Sequence, residues 1–265
     1  MKQRMILGVI LAVFCLPFCG AWTAPINDDV YYGGAQPISF YGASEQVTYT
    51  EKQILSDIST ANGAPDYYPI NNLSNACGAA AGATILGFYD KYIDIIKNWN
   101  SYLPNGKYKP QDSVYVTKII EDLFVEMKTN VTQSGVTEND FKTGLRNYIQ
   151  SLGHNVNYEY LGTGNNLNFT SMRSAFSNNK VVVFFIKPDN VYTITGNSNS
   201  DLITTTNISA NHIMVAHGYY EIRYILSSGT RTESYIKVSS CLNIAGQQYY
   251  KVAASLVSAY TVDIQ

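Results

Sequence analysis

The sequence predicts an α+β fold in which an N-terminal helical part packs on a C-terminal antiparallel sheet. Two observations carry this. Apolar residues between about 76 and 152 recur at helical spacing, whereas from residue 180 onward short runs rich in Val, Ile, Tyr and Phe are separated by Ser, Gly and Asn turns. Helices first and strands later favour this layering over the alternating units of a parallel sheet. A third observation sets the scale: 265 residues, 46% of them hydrophobic, suffice for one large globular domain with its own core.

The N-terminus comes first. Lys2 and Arg4 precede an apolar run from Met5 to Phe18, and small residues follow at Gly20 and Ala21. That order describes a signal peptide over residues 1–21 and a secreted or cell-surface protein, with an uncleaved anchor as the alternative. Phe14 and Phe18 stand before Cys15 and Cys19, where lipid attachment requires a small residue. No later segment is long and apolar enough for a membrane span. Residues 22–65 read as an N-terminal arm or short pro-segment, and "SEQVTYTEKQILSDIS" suggests a short helix anchored by Val47, Ile54 and Ile58. Turn formers in "TANGAPDYYPINN" lead into the main domain, residues 66–265.

The first long helix is expected over about 76–99, with Ala79, Ala83, Leu86, Tyr89, Ile93 and Ile96 near helical spacing. Its opening turns are almost all Ala and Gly, which predicts a buried central helix with close neighbours. "VYVTKIIEDLFVEMKT" places Val116, Ile119, Ile120, Leu123, Phe124 and Met127 on one face. "TENDFKTGLRNYIQSLG" has Thr137 as cap, a stripe from Phe141 to Leu152, and Gly153 as stop. "TSMRSAFSNN" suggests a short helix capped by Thr170, and "KVVVFFI" a buried strand. "PDNVYTITGNSNSDLITTTNISAN" reads as a polar loop or hairpin. "HIMVAHGYYEIRYIL", "ESYIKVSS", "QQYYKVA" and "AYTVDI" complete the sheet.

Composition narrows the function. A net charge of −2 leaves no electrostatic footprint for nucleic acid. With three histidines and no His-rich or Cys-rich cluster, neither a metal nor another cofactor is expected. Beyond the signal peptide the chain keeps Cys77 and Cys241, which raises the possibility of one disulfide. Cys77 opens a helix in "NNLSNACGAAAGATILGFYDKY", with Ser74 and Asn75 as candidate caps. Unpaired N–H groups and a partial positive charge at a helix start lower a thiol's pKa, so this position suits a nucleophile. Structural disulfide and inert buried thiol stand beside that reading.

A nucleophilic thiol needs a base. His154 follows a helix-terminal glycine and reads as a loop residue. His212 and His217 lie on one strand at an odd separation, hence on opposite faces. His212, 135 residues after Cys77, falls within the roughly 130–150 residues that separate Cys from His in papain-like peptidases.

"NACGAAAGATILGFYDKY" and "NHIMVAHGYY" resemble the Cys helix and the His strand of papain-like cysteine peptidases, closest to bacterial secreted types similar to streptopain and to the C39-like bacteriocin-processing domains. The resemblance covers roughly residues 66–262. It implies a papain-like fold and a secreted thiol protease acting on a peptide or protein substrate, as a monomer and free of the membrane once the signal is cleaved. It implies Cys77 as nucleophile, His212 as base and Asn71 as oxyanion donor, and a third residue orienting the His. The best register puts Ser239 in that third place, while Asn243 is chemically suited but a few residues late. Ala79 stands where the family often has Pro. Cell-wall amidases and acyltransferases share the thioester step, and a catalytically degenerate binding protein on the same scaffold is the alternative.

Overall fold

The computed structural model describes residues 30–33, 42–70, 72–97 and 99–265; the signal-peptide expectation lies outside these. Among the described residues the fold is α+β. The strands are β1 (Tyr31–Tyr32), β2 (Ser44–Thr48), β3 (Glu51–Ser59), β4 (Val136–Thr137), β5 (Val156–Gly162), β6 (Val181–Ile186), β7 (Asp189–Gly196), β8 (Ser200–Ile208), β9 (His212–Leu226), β10 (Gly229–Ser239), β11 (Gln248–Tyr250) and β12 (Leu256–Ile264). The helices are α1 (Cys77–Ile93), α2 (Val114–Glu126), α3 (Glu138–Ser151) and α4 (Phe169–Ser177). No described helix is long and apolar enough to cross a membrane.

One ten-stranded sheet runs β2-β8-β7-β11-β10-β9-β6-β12-β5, with β3 paired to β9 off that path. Strand β9 is its axis. Its first residues pair with β6 (Ile186 opposite His212), its later ones pair with β3, and its other edge holds β10 along most of its length. Alternation then divides the core. Ile213 and Val215 join Cys77 and the helices α1–α3 on one face, while Met214 and Ala216 join Met172 and Phe176 of α4 on the other.

Helix α1 is buried at every residue from Cys77 to Asp90. Its glycines are seats for three different neighbours. A Cβ on Gly78 would meet Val136 at 2.7 Å, one on Gly82 would meet Leu123 and Met127 at 2.9 Å, and one on Gly87 would meet Pro65 and Tyr67 at 3.0 Å. The expected close packing is therefore present. The helix stops earlier than its periodicity suggests, at Asp94 in the left-handed conformation with φ 45°. The buried Asp90 carboxylate accepts the Ile96 and Ser101 N–H groups, so the following segment turns away instead of extending the helix.

The apolar face expected for α2 is buried at Val116, Ile119, Ile120 and Leu123. The Thr137 side chain accepts the Asp140 N–H as the cap of α3. Two expectations need correction. Residues 44–59 form β2 and β3, not a helix: Val47 is buried but Ile54 is 58% exposed, and the segment is held by pairing with β8 and β9. The residues read as an arm thus supply two strands of the main sheet. Helix α4 is capped by Asn168, whose side chain accepts the Ser171 N–H at 3.0 Å, two residues before the expected Thr170. The polar region after β6 is a hairpin of β7 and β8, and β5 is a strand that no pattern in the sequence predicts.

Candidate active site

Cys77 is the first residue of α1 and is fully buried. The expected caps do not serve this helix. Asn75 adopts φ 60° and donates instead to Asn130, and the residue at the N-cap position is Ala76, which makes no side-chain cap. Asn130 also donates to the Ser74 carbonyl and accepts from the Gly135 N–H. The turn before Cys77 is thereby fixed by a partner across the domain.

Cys77 and Cys241 are both thiols, so the expected disulfide alternative is not formed. The Cys77 thiol donates to the Tyr32 carbonyl at 3.7 Å. Cys241 is fully buried and donates to the Ser239 carbonyl at 3.7 Å. Burial, then the Asp66 carboxylate, then Cys77 raise its pKa well above the usual thiol range. A thiol so shifted is a poor nucleophile at neutral pH.

His212 opens β9, and the residues that follow the two candidate groups touch: Ile213 Cδ1 lies 3.5 Å from where a Gly78 Cβ would sit. The neighbour before His212 is tied to the same place, because the Asn211 side chain donates to the Tyr31 carbonyl at 3.0 Å. The Ile213 side chain thus packs on the start of α1 from the face of the sheet that holds Cys77. The His212 ring itself leaves the sheet, by alternation, on the side of Met214. Its Nε2 lies 2.5 Å from the Ser240 carbonyl oxygen, and its Nδ1 is buried with no hydrogen-bond partner among the described residues. Burial pulls the His212 pKa down to about 4, against the Ser240 carbonyl, which raises it. The ring is neutral at pH 7 and, with its pKa lowered by burial, a weak proton acceptor in this position.

The other sequence-derived residues fall as follows. Asn71 lies outside the described residues. Ser239 is buried, pairs with Val215 and places its carbonyl at Cys241. Asn243 is exposed, with φ 55°, in the turn after β10. Neither side chain has a recorded bond to the His212 ring; the group at Nε2 is the Ser240 main-chain oxygen. That oxygen is itself held by residues the sequence did not single out. Gln248 Oε1 accepts the Ser240 N–H at 2.8 Å, and Gln248 Nε2 donates to Asp66 at 2.5 Å and to the Ile244 carbonyl at 2.6 Å. Asp66 also accepts the Cys241 N–H at 3.4 Å. Burial raises the Asp66 pKa to about 6, opposed by its hydrogen bonds from Gln248 and Cys241. A main-chain acceptor leaves no residue-type signal, which is why this arrangement was not legible.

His217 is also buried on β9, and burial lowers its pKa to about 4. These shifts predict an acid response. Each lowered histidine resists a proton that the unfolded chain takes up, so stability is full above about 6.5 and is lost as pH falls through about 4. Asp66, raised to about 6, acts in the opposite sense between 6 and its unfolded value of 3.8. Two histidines against one carboxylate leave one net proton, or about 1.4 kcal/mol per pH unit. Urea midpoints measured from pH 7 to pH 4 are expected to fall; a flat or rising series contradicts the assignment.

No candidate metal cluster exists among the described residues. No family model, no curated protein and no solved structure matches this chain.

Proposed function

We propose that this chain is a secreted, papain-like cysteine peptidase in which Cys77 is the nucleophile and His212 the base. The observation that carries the reading is that Cys77 begins the buried helix α1 and that α1 packs on the start of β9, where the side chain of Ile213, next to His212, reaches Gly78, next to Cys77. A thiolate there is stabilised by the helix start. A neutral imidazole takes the thiol proton and returns it to the leaving amine, and the Cys77 N–H, with Asn71, stabilises the oxyanion. The Ser240 carbonyl orients Nε2, a task that Ser239 or Asn243 would otherwise perform. Joining the pair requires the His212 ring to change rotamer at the end of its strand.

A second reading is a catalytically degenerate binding protein on the same scaffold. It is favoured by the His212 ring, which meets the Ser240 carbonyl on the side of the sheet that holds Met214. Alkylation of Cys77 in the wild-type chain and in His212→Ala separates the two readings. Faster reaction at Cys77 than at Cys241, dependent on His212, supports the peptidase.

A further inference from the structure

Strand β1 lies on Cys77 in the manner of a bound peptide. It is extended and antiparallel to β4, with Tyr31 opposite Thr137 and Tyr32 opposite Val136. Its two carbonyls are both engaged at the site, Tyr31 by the Asn211 amide and Tyr32 by the Cys77 thiol. The backbone around it is cut to fit. Gly135 has φ 102°, and a Cβ there would lie 2.4 Å from the Tyr32 oxygen. Gly33, the next residue of the strand, faces Asn75 so closely that a Cβ would be 3.0 Å from it.

The Tyr32 side chain is fully buried. Its ring meets Phe185 edge-on at 5.2 Å, and Phe185 in turn meets Phe141 at 5.4 Å and Tyr260 at 6.3 Å. Glu138 is near enough to raise the Tyr32 pKa beyond what burial alone does. The Tyr32 hydroxyl has no partner among the described residues. The cavity therefore rewards an aromatic ring, gives nothing to a hydroxyl, and places a carboxylate where an acidic side chain would be repelled.

From this we infer that Tyr32 fills the specificity pocket of the enzyme. The substrate is a peptide with a large aromatic residue, Phe at least as good as Tyr, contributing the attacked carbonyl, followed by glycine. This rests on the reading of Cys77 as nucleophile. In the reaction the Cys77 sulfur bonds to that carbonyl carbon and the C–N bond to the following glycine breaks. The thiol proton passes through His212 to the leaving amine, and water then splits the thioester.

The test uses full-length Tyr32→Ala, which empties the pocket, and quenched peptides that differ only in the residue before a Gly. Phe and Tyr peptides are expected to exceed Ala and Glu peptides at least tenfold in kcat/KM, from burial of the ring. Cleavage without that preference overturns the inference and leaves the nucleophile standing. The same peptides are titrated onto Tyr32→Ala carrying Cys77→Ala. Aromatic-selective binding without any cleavage by Tyr32→Ala upholds the pocket and removes the peptidase reading, whereas neither binding nor cleavage overturns the pocket. Should Tyr32→Ala not fold, Tyr32→Phe and Tyr32→Leu decide. The Phe variant is expected to keep the wild-type rate of Cys77 alkylation by iodoacetamide and the Leu variant to raise it at least tenfold; equal rates overturn the inference.

Discussion

Gly144→Val lowers stability by about 3 kcal/mol. Gly144 lies on α3 where that helix crosses the end of α2, and a Cβ there would sit 2.7 Å from the Glu126 carbonyl group and from the Met127 Cα. These are backbone atoms, so no side-chain rotation relieves the contact and one helix must move. Overpacking of this kind costs about 1–3 kcal/mol and sometimes more. Better helix propensity returns less than about 1 kcal/mol. Because α2 also seats Leu123 and Met127 on Gly82 of α1, displacing it disturbs the helix that carries Cys77. Denaturant titration of the variant measures the loss; a change within about 0.5 kcal/mol of wild type contradicts the close crossing.

Gln248→Leu is expected to cost at least as much, about 3 kcal/mol or more, for a different reason. The side chain is 1% exposed and serves three partners: the Ser240 N–H, the Asp66 carboxylate and the Ile244 carbonyl. Leucine fills a similar volume but leaves the buried Ser240 N–H without its acceptor and takes a donor from the part-buried Asp66 carboxylate and Ile244 carbonyl. Each unsatisfied buried group costs about 1–3 kcal/mol, more when charged. The substitution also frees the Ser240 carbonyl that holds His212. A shift of the His212 ring resonances should therefore accompany the loss of stability. A variant as stable as wild type, or one with unmoved His212 resonances, contradicts the network.

How far the sequence led can be judged element by element. Helix α3 was legible because its cap, its stripe and its stop agree locally, with Thr137, Phe141 and Gly153 each where the pattern requires. The buried α1 was legible from its small residues, since nothing else explains so many Ala and Gly in one helix. Strand β3 was misread because its apolar residues suit either period, and its conformation is set by β9, more than 150 residues away in sequence. The cap of α4 was misplaced because Asn168 and Thr170 are both good caps and only the first bonds to the helix.

At the site the same division holds. Cys77 at a helix start and His212 at a strand start were readable from local patterns, and α1 packs on the strand that His212 opens. What contacts the His212 ring is a main-chain oxygen, positioned by Gln248 and Asp66, and no spacing rule points to such a group. The cover over Cys77 was equally hidden. Tyr32 belongs to a Gly- and Tyr-rich stretch without period, and only its burial beside Phe185 reveals a role.

The most direct test of the account is the alkylation of Cys77 by iodoacetamide from pH 5 to pH 9, read by mass spectrometry, with Cys241 in the same molecule as the internal standard. Opening of the whole fold exposes both thiols, so their ratio isolates activation from unfolding. If Cys77 is the nucleophile, it reacts well below pH 8 and ahead of Cys241, and His212→Ala slows it at least tenfold without changing Cys241. Equal reaction of the two cysteines, or an unchanged Cys77 rate in His212→Ala, contradicts the Cys77–His212 pair.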